Sequence, residues 1–170
     1  MNTKIRTLLL VAASGVFATG AVLAQLQQTK QASGSKSKVR ADQPVEIGTV
    51  NWRRDFEKAL ADSGRTQKPV LVLFQEVPGC SGCQTFGKTV LSDPLLVEAI
   101  ESEFVPVVVY NNRGTGKDRE LLERYREPAW NYQVIRFLNS EGKDIIPRKD
   151  RVWTKAVSYT HLTLPTILRV

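Results

Sequence analysis

The sequence predicts an α/β fold in which a central mixed sheet of about four strands is flanked by helices. Two apolar runs, residues 70–74 and 104–110, are rich in β-forming residues and predict buried strands, and segments of helical periodicity alternate with them. A third run, residues 134–138, is followed by a polar turn and a short fourth run, as in a β-hairpin. This order predicts that the first two strands pair in parallel through a right-handed crossover and that the hairpin adds antiparallel strands.

The first 24 residues have the three parts of a bacterial-type export signal. Lys4 and Arg6 form a positive n-region, residues 7–23 are uncharged and largely apolar, and Val22 and Ala24 suit the −3 and −1 positions of a cleavage site. We therefore expect cleavage after Ala24 and a periplasmic or otherwise extracytoplasmic domain, where disulfides persist. The alternative is an uncleaved membrane tether, because the apolar run nearly reaches the ~18 residues that a span needs.

The distribution of charge argues against nucleic acid as a partner. The chain has 24 Lys+Arg and 17 Asp+Glu, a formal net charge of +7. Residues 46–154 contain 16 residues of each sign, so the positive excess lies in the extensions. Residues 25–45, rich in Gln, Ser and Lys, predict a flexible basic linker. Its charge suits an anionic membrane surface better than nucleic acid, and a simple contribution to solubility is the favoured interpretation. The predicted domain is therefore 46–154.

The first predicted helix spans residues 51–66. Its apolar residues recur at helical spacing, and Asn51 is a suitable N-cap. The apolar stripe consists of Trp52, Phe56, Ala59 and Leu60. After the first strand, Pro78 and Gly79 break the extended run, and residues 84–90 fit a second helix. Both helices are expected to cover the sheet.

A third helix is predicted after Asp93, which is a suitable N-cap, with Pro94 as its first residue. Its apolar side is predicted to consist of Leu95, Leu96, Ala99 and Ile100. In the strand that follows, Pro106 predicts an outer position in the sheet, because proline has no backbone N–H to donate to a neighbouring strand.

The last predicted elements are a helix and the hairpin. Residues 117–125 predict a helix whose inward side consists of Leu121, Leu122 and Tyr125. Residues 139–143 predict the hairpin turn, and residues 144–146 predict the fourth strand. Arg136, in a half-buried strand, is expected to point outward.

Cys80 and Cys83 are the only cysteines in the sequence and form a C-x-x-C motif between a strand and a helix. This context is typical of a thiol–disulfide redox site. A thiolate at a helix N-terminus is stabilised by unpaired backbone N–H groups and by the helix dipole, which lowers the thiol pKa. Cys80 is therefore the predicted nucleophile and Cys83 the resolving cysteine. A permanent structural disulfide or inert thiols is the alternative.

No metal site and no cofactor are predicted. Two cysteines supply half of a structural zinc site, and the only histidine, His161, lies in the tail.

Residues 156–170 lack helical periodicity and are similar to the peptide that translated sequencing-adapter DNA produces. We therefore expect residues 155–170 to be a non-native or disordered tail, and we exclude a histidine-based triad.

Glu76 directly precedes the motif region and is a possible proton relay for Cys83. The simpler interpretation is a solvated carboxylate at the end of the strand. The solvated carboxylate is the favoured interpretation, and the proton relay is the alternative.

From about Trp52 to Trp153 the sequence resembles thioredoxin-like proteins that carry the motif VPG-[Cys or Sec]-x-x-[Cys or Thr]. Here the motif is Val77-Pro78-Gly79-Cys80-Ser81-Gly82-Cys83. Supporting stretches are residues 95–100, 105–112 and 127–131. The resemblance implies a thioredoxin-like fold, with the closing C-terminal helix missing or replaced in this chain. Because some relatives have selenocysteine at the position of Cys80, it also implies that this residue attacks the substrate.

One departure from the wider thioredoxin superfamily concerns substrate binding. Most members have a cis-proline just before the third core strand, facing the cysteines, whereas Gln133 occupies that position here. Substrate docking is therefore expected to differ, or to depend on the preceding loop. The candidates for the rim of the substrate groove are Trp130, Tyr132 and Gln133, although Trp130 could equally belong to the core.

Together these features predict an exported thiol–disulfide oxidoreductase. Its substrate would be a protein or small-molecule disulfide, and a separate reducing or oxidising redox partner would complete the cycle. The alternatives are a thiol peroxidase or sulfoxide-type reductase that uses Cys80, a non-catalytic thioredoxin-like binding domain with a static disulfide, and a membrane-tethered electron relay.

Overall fold

A computed structural model of the chain describes residues 43–130, 133–150, 152, 154 and 155, all within one compact unit. After a 3-10 turn at Val45–Ile47, the elements are α1 (Phe56–Thr66), β1 (Val70–Gln75), α2 (Ser81–Thr89), α3 (Pro94–Glu103), β2 (Val105–Tyr110), α4 (Lys117–Tyr125), β3 (Val134–Leu138) and β4 (Lys149–Asp150). The predicted export signal, most of the linker, Tyr132 and the tail 156–170 lie outside the described residues. Within the described part of the chain, no helix has the length and apolar character of a membrane span.

The four strands form one mixed sheet in the order β2-β1-β3-β4. β1 pairs in parallel with β2, with Val70 opposite Val105, and antiparallel with β3, with Val70 opposite Leu138. The predicted α/β fold with a mixed sheet is therefore confirmed. Pro106 lies in β2, at the edge of the sheet, as predicted.

Both faces of β1 are buried, so this strand is the centre of the domain. Leu71 and Leu73 pack on one face with Phe86 of α2 and with α3. On the other face, the residues that pack together from β1, α1 and α4 are Val70, Val72, Phe74, Phe56, Ala59, Leu60 and Leu122. Fully burying a valine, leucine or phenylalanine side chain stabilises the folded state by about 1.5–3 kcal/mol. Packing on both faces therefore fixes the position of both ends of β1.

The first helix begins later than predicted. α1 starts at Phe56, and its N-cap is Asp55, whose side chain accepts a hydrogen bond from the Lys58 N–H (3.1 Å). The predicted cap at Asn51 is therefore wrong. The reason is that Arg53 pairs with the edge of the sheet, since its N–H donates to the Pro106 carbonyl (3.0 Å).

The cap of α3 is as predicted, but one side chain is not. Asp93 accepts hydrogen bonds from the N–H groups of Leu95 and Leu96, and Pro94 is the first helical residue. Leu96 and Ile100 are buried, whereas Leu95 is 65% exposed. The prediction that Leu95 faces inward is wrong, because the adjacent position, Leu96, lies on the face that packs on the sheet.

The fourth strand lies further along the chain than predicted. β4 is Lys149–Asp150 and pairs with Val134 and Ile135. Residues 144–146 form only a bridge between Asp144 and Leu138 and one hydrogen bond from the Ile145 N–H to β3. Pro147 explains the break, because it has no N–H to continue the ladder.

Arg136 is buried, so the prediction that it points outward is wrong. Its guanidinium forms ion pairs with Glu127 and Asp144 and donates to the Tyr125 carbonyl (3.1 Å). The Glu127 side chain is 1% exposed and also lies 3.5 Å from Arg148. A buried guanidinium surrounded by acceptors is tolerated where an isolated one is not.

We expect Arg136→Ala to lower the free energy of unfolding by about 3–5 kcal/mol, because it leaves the Glu127 carboxylate buried beside fewer donors. Arg119→Ala, which removes an exposed ion pair with Glu123 on α4, is the matched control and should cost within about 1 kcal/mol. Urea denaturation measures both. An Arg136→Ala loss as small as the control's would contradict the buried network.

Candidate active site

Cys80 is the N-cap of α2, directly after the turn that leaves β1. Its carbonyl accepts the first helical hydrogen bond, from the Gln84 N–H (3.0 Å). Cys83 is the third residue of the helix and faces the core at 4% exposure, whereas Cys80 is exposed. The two free sulfurs lie 3.3 Å apart. The structure thus brings the two predicted redox residues together, with one sulfur accessible and one covered.

The two thiols have opposite electrostatic environments. The backbone N–H of Cys83, followed by its thiol and by the Gly82 N–H, donates to the Cys80 sulfur and lowers the Cys80 pKa. Burial raises the pKa of Cys83 to about 12, and the neighbouring Cys80 sulfur adds to this shift. Because the thiolate is the nucleophile, this difference favours attack by the exposed Cys80.

Glu76 lies next to the buried thiol. Its half-buried carboxylate is 3.8 Å from the Cys83 sulfur through Oε2. Glu76, Cys80 and Cys83 also form a group of three close metal-ligand atoms among the described residues, all within 4.8 Å of one another. Three ligands are fewer than the four of a closed structural zinc site, so the arrangement does not by itself require a metal.

The turn before Cys80 is held by the side chain of Asn112, which lies two residues after the last residue of β2. The Asn112 amide accepts from the Val77 N–H (3.3 Å) and donates to the Pro78 carbonyl (3.0 Å). Val77 is buried, Pro78 is exposed, and the peptide between them is cis. Asn112 was not singled out from the sequence, because its contact spans more than 30 positions and belongs to no local motif.

Gly79 and Glu46 complete the turn. A Cβ on Gly79 would lie 2.6 Å from the Cys83 Cβ, so only glycine allows this close approach. The Gly79 N–H donates to Oε1 of Glu46 (2.9 Å), and the Glu46 side chain is buried. Sequence reasoning also missed Glu46, which lies at the predicted domain boundary, where no periodicity or spacing marks a function.

The predicted groove residues occupy different environments. The Trp130 residue is 59% exposed, so it is not part of the core. Its backbone has a left-handed conformation (φ 69°). The backbone N–H of Trp130 donates to the carbonyl of Asn111 (3.3 Å). Asn111 is the neighbour of Asn112, which holds the turn before Cys80. Gln133 is 3% exposed and is therefore not on an exposed rim. Tyr132 lies outside the described residues.

Gln133 is buried without a hydrogen-bond partner for either side-chain polar atom among the described residues. The register that pairs Phe74 with Val134 places it beside Gln75, at the end of the sheet that leads to the motif. Oε1 of Gln75 is also unpartnered within the same part of the chain. Buried amides thus lie where the resemblance implies an apolar cis-proline.

A family model described as thioredoxin-like matches residues 51–139, just over half of the chain. A thioredoxin from Thermus thermophilus, solved in solution, is 24% identical with a TM-score of 0.55; the match covers 69% of this chain and 88% of that one. A structure titled DsbH Oxidoreductase is 18% identical with a TM-score of 0.53, and the match covers 83% of this chain and 99% of that one. At these identities the two structures indicate a shared fold. No curated protein matches this chain significantly.

At neutral pH we expect iodoacetamide to modify Cys80 and to leave Cys83 unmodified. The lowered Cys80 pKa keeps thiolate present below the pH at which an ordinary thiol ionises, and the rate falls as the pH drops through this lowered pKa. The raised Cys83 pKa of about 12 keeps that thiol protonated. Peptide mass spectrometry across a pH series, with a short cysteine peptide as reference, measures both rates. Equal modification of both cysteines would contradict the assignment.

Proposed function

We propose that this chain, which belongs to the thioredoxin-like family, is an exported thiol–disulfide oxidoreductase in which Cys80 attacks and Cys83 resolves. The observation that carries the proposal is the asymmetry of two adjacent sulfurs at a helix start. One is exposed with a lowered pKa, and the other, 3.3 Å away, is buried with a raised pKa. A pair that performs two successive attacks needs this difference in pKa. The first thiol must be ionised to attack the substrate, and the second must stay protonated until the mixed disulfide has formed.

The reaction proceeds through a mixed disulfide. The Cys80 thiolate attacks one sulfur of a substrate disulfide, a Cys80–substrate bond forms, and the other substrate sulfur leaves as a thiolate that takes up a proton. Cys83 then loses its proton and attacks the Cys80 sulfur. This forms the Cys80–Cys83 disulfide and releases the second substrate thiol, so that two electrons pass to the substrate. A dithiol redox partner returns the pair to the reduced state, and an oxidising partner runs the cycle in the opposite direction.

Glu76 is the proposed proton acceptor for the second step. A thiol with a pKa of about 12 ionises too rarely at neutral pH to resolve a mixed disulfide quickly. The Glu76 carboxylate, 3.8 Å from this sulfur, is positioned to take the proton directly or through one water molecule. This contact supports the relay over a fully solvated carboxylate.

The substrate is proposed to dock beside the exposed Cys80, against the loop that carries Trp130. The backbone N–H of Trp130 binds the carbonyl of Asn111, the neighbour of the Asn112 that holds the turn before Cys80. The exposed indole of Trp130 offers apolar contact to the chain that flanks a disulfide. Gln133 lies beneath this surface rather than on it, and Tyr132 remains a candidate from its sequence position.

Export rests on the pattern of residues 1–24, with its positive start, apolar centre and small residues at the cleavage site. An extracytoplasmic location suits a redox pair that forms a disulfide in its cycle. Mass spectrometry of the mature N-terminus distinguishes the cleaved form from the membrane-tethered electron relay.

We expect the wild-type protein to catalyse insulin disulfide reduction in the presence of dithiothreitol. Cys80→Ser should lose at least about a hundredfold in rate, because a serine hydroxyl does not ionise at neutral pH. Cys83→Ser should retain the first attack and accumulate a mixed disulfide, visible by mass spectrometry. Ser81→Ala, between the two cysteines, is the control and should retain activity. Peroxide consumption without disulfide reduction would instead favour the thiol peroxidase, whose exposed thiolate is the same Cys80.

Glu76→Gln is expected to slow resolution of the mixed disulfide by about tenfold or more, while the first attack by Cys80 stays at least as fast. The first attack should not slow, because the negative charge of Glu76 raises the Cys80 pKa. Single-turnover measurements separate the two steps. Glu120→Gln, which removes an exposed carboxylate on α4, is the matched control. Unchanged resolution in Glu76→Gln would exclude the relay.

A further inference from the structure

We propose that Glu46 is a positioning residue for the reactive cysteine, and that it acts by accepting the Gly79 N–H. The inference rests on the proposed role of Cys80 as the reactive thiol. Glu46 belongs to the segment 43–50, which precedes the region matched by the family model. The contact therefore comes from outside residues 51–139, the range that the family model matches.

The contact is direct and buried. Oε1 of Glu46 lies 2.9 Å from the Gly79 nitrogen, and the Glu46 side chain is almost fully removed from solvent. A carboxylate in such a place is strongly disfavoured unless it accepts hydrogen bonds. The hydrogen bond from Gly79 therefore fixes both the carboxylate and the peptide group that donates to it.

Gly79 is the residue whose orientation decides where the Cys80 sulfur lies. It directly precedes the N-cap, and its backbone approaches Cys83 so closely that an added Cβ would lie 3.1 Å from the Cys83 sulfur. The donors that stabilise the Cys80 thiolate are the N–H groups of Cys83 and Gly82. If the Gly79 peptide rotates, Cys80 moves away from these donors.

The segment 43–50 is itself held from two sides, so it can serve as a fixed support. The Glu46 carbonyl accepts from Nε2 of Gln75 at the end of β1 (3.1 Å). The Val45 carbonyl lies against Gly87 of α2, where a Cβ would come within 1.8 Å. On the far side, the Thr49 N–H donates to the Leu91 carbonyl (2.9 Å). The support therefore touches both the strand before the motif and the helix after it.

The test compares Glu46→Ala with Glu46→Gln in the full chain. Both variants remove the charge, but only Gln retains an oxygen acceptor for the Gly79 N–H, so their difference isolates the hydrogen bond. The readout is the rate of Cys80 alkylation by iodoacetamide as a function of pH. We expect Glu46→Ala to react about threefold or more slowly than Glu46→Gln at neutral pH, which corresponds to a pKa higher by about half a unit. Its profile should shift to higher pH.

Gly87→Ala offers an independent route to the same result. It leaves Glu46 unchanged and favours the helical state of α2, but its Cβ must displace the Val45 carbonyl. We expect its alkylation profile to resemble that of Glu46→Ala. Val45→Ala is the matched control, because its side chain is exposed and its carbonyl is unchanged, and it should resemble wild type. Circular dichroism and melting temperature establish which variants fold.

Equal alkylation profiles for folded Glu46→Ala and Glu46→Gln would overturn the proposal. If Glu46→Ala does not fold, a wild-type profile for Gly87→Ala would overturn it instead. Alkylation requires no disulfide substrate. A failure of the proposed oxidoreductase activity would therefore leave this readout intact and is distinguishable from a failure of the Glu46 proposal.

Discussion

The hydrogen bonds that the first turn of α2 offers to the Cys80 sulfur depend on where β1 ends. Because β1 is buried on both faces, its last residue, Gln75, is fixed in the sheet, and the short turn that follows can place Cys80 only at the helix start. The N–H groups there have no helical acceptor of their own, so a thiolate satisfies them. The reactivity of the site is in this sense a property of the core beneath it.

The same helix makes the two sulfurs unequal. Three residues along α2 is close to one turn, so Cys83 lies under Cys80 and faces the sheet, where burial disfavours its anion. The buried thiol has a carboxylate beside it, Glu76, and the turn above is held by Glu46 and Asn112 from distant parts of the chain. The side chains that we propose for proton transfer and positioning thus lie outside the C-x-x-C motif.

The layer beneath the motif is more polar than the resemblance implies. The resemblance aligns Gln133 with the usual cis-proline, and the structure buries its amide next to Gln75. Unpaired buried amide groups carry a desolvation cost of about 1–3 kcal/mol each unless another group or water meets them. Buried amides of Gln75 and Gln133 therefore make this layer polar.

The features that depend on neighbours along the chain could be predicted from local sequence patterns. The strand β3, the helix α4 and the cap at Asp93 all follow local apolar periodicity and side-chain capping, and they have the predicted bounds. The position of the cysteine pair at a helix start could also be predicted, because a C-x-x-C motif between a buried strand and a helix is typical of this arrangement. Three features became apparent only in the folded molecule: the cap at Asp55, the burial of Arg136 and the contact of Glu46 with Gly79. Each of these depends on a partner that the folded sheet brings near, such as the edge of β2 for Arg53 or Glu127 for Arg136, and no local pattern encodes which distant partner arrives.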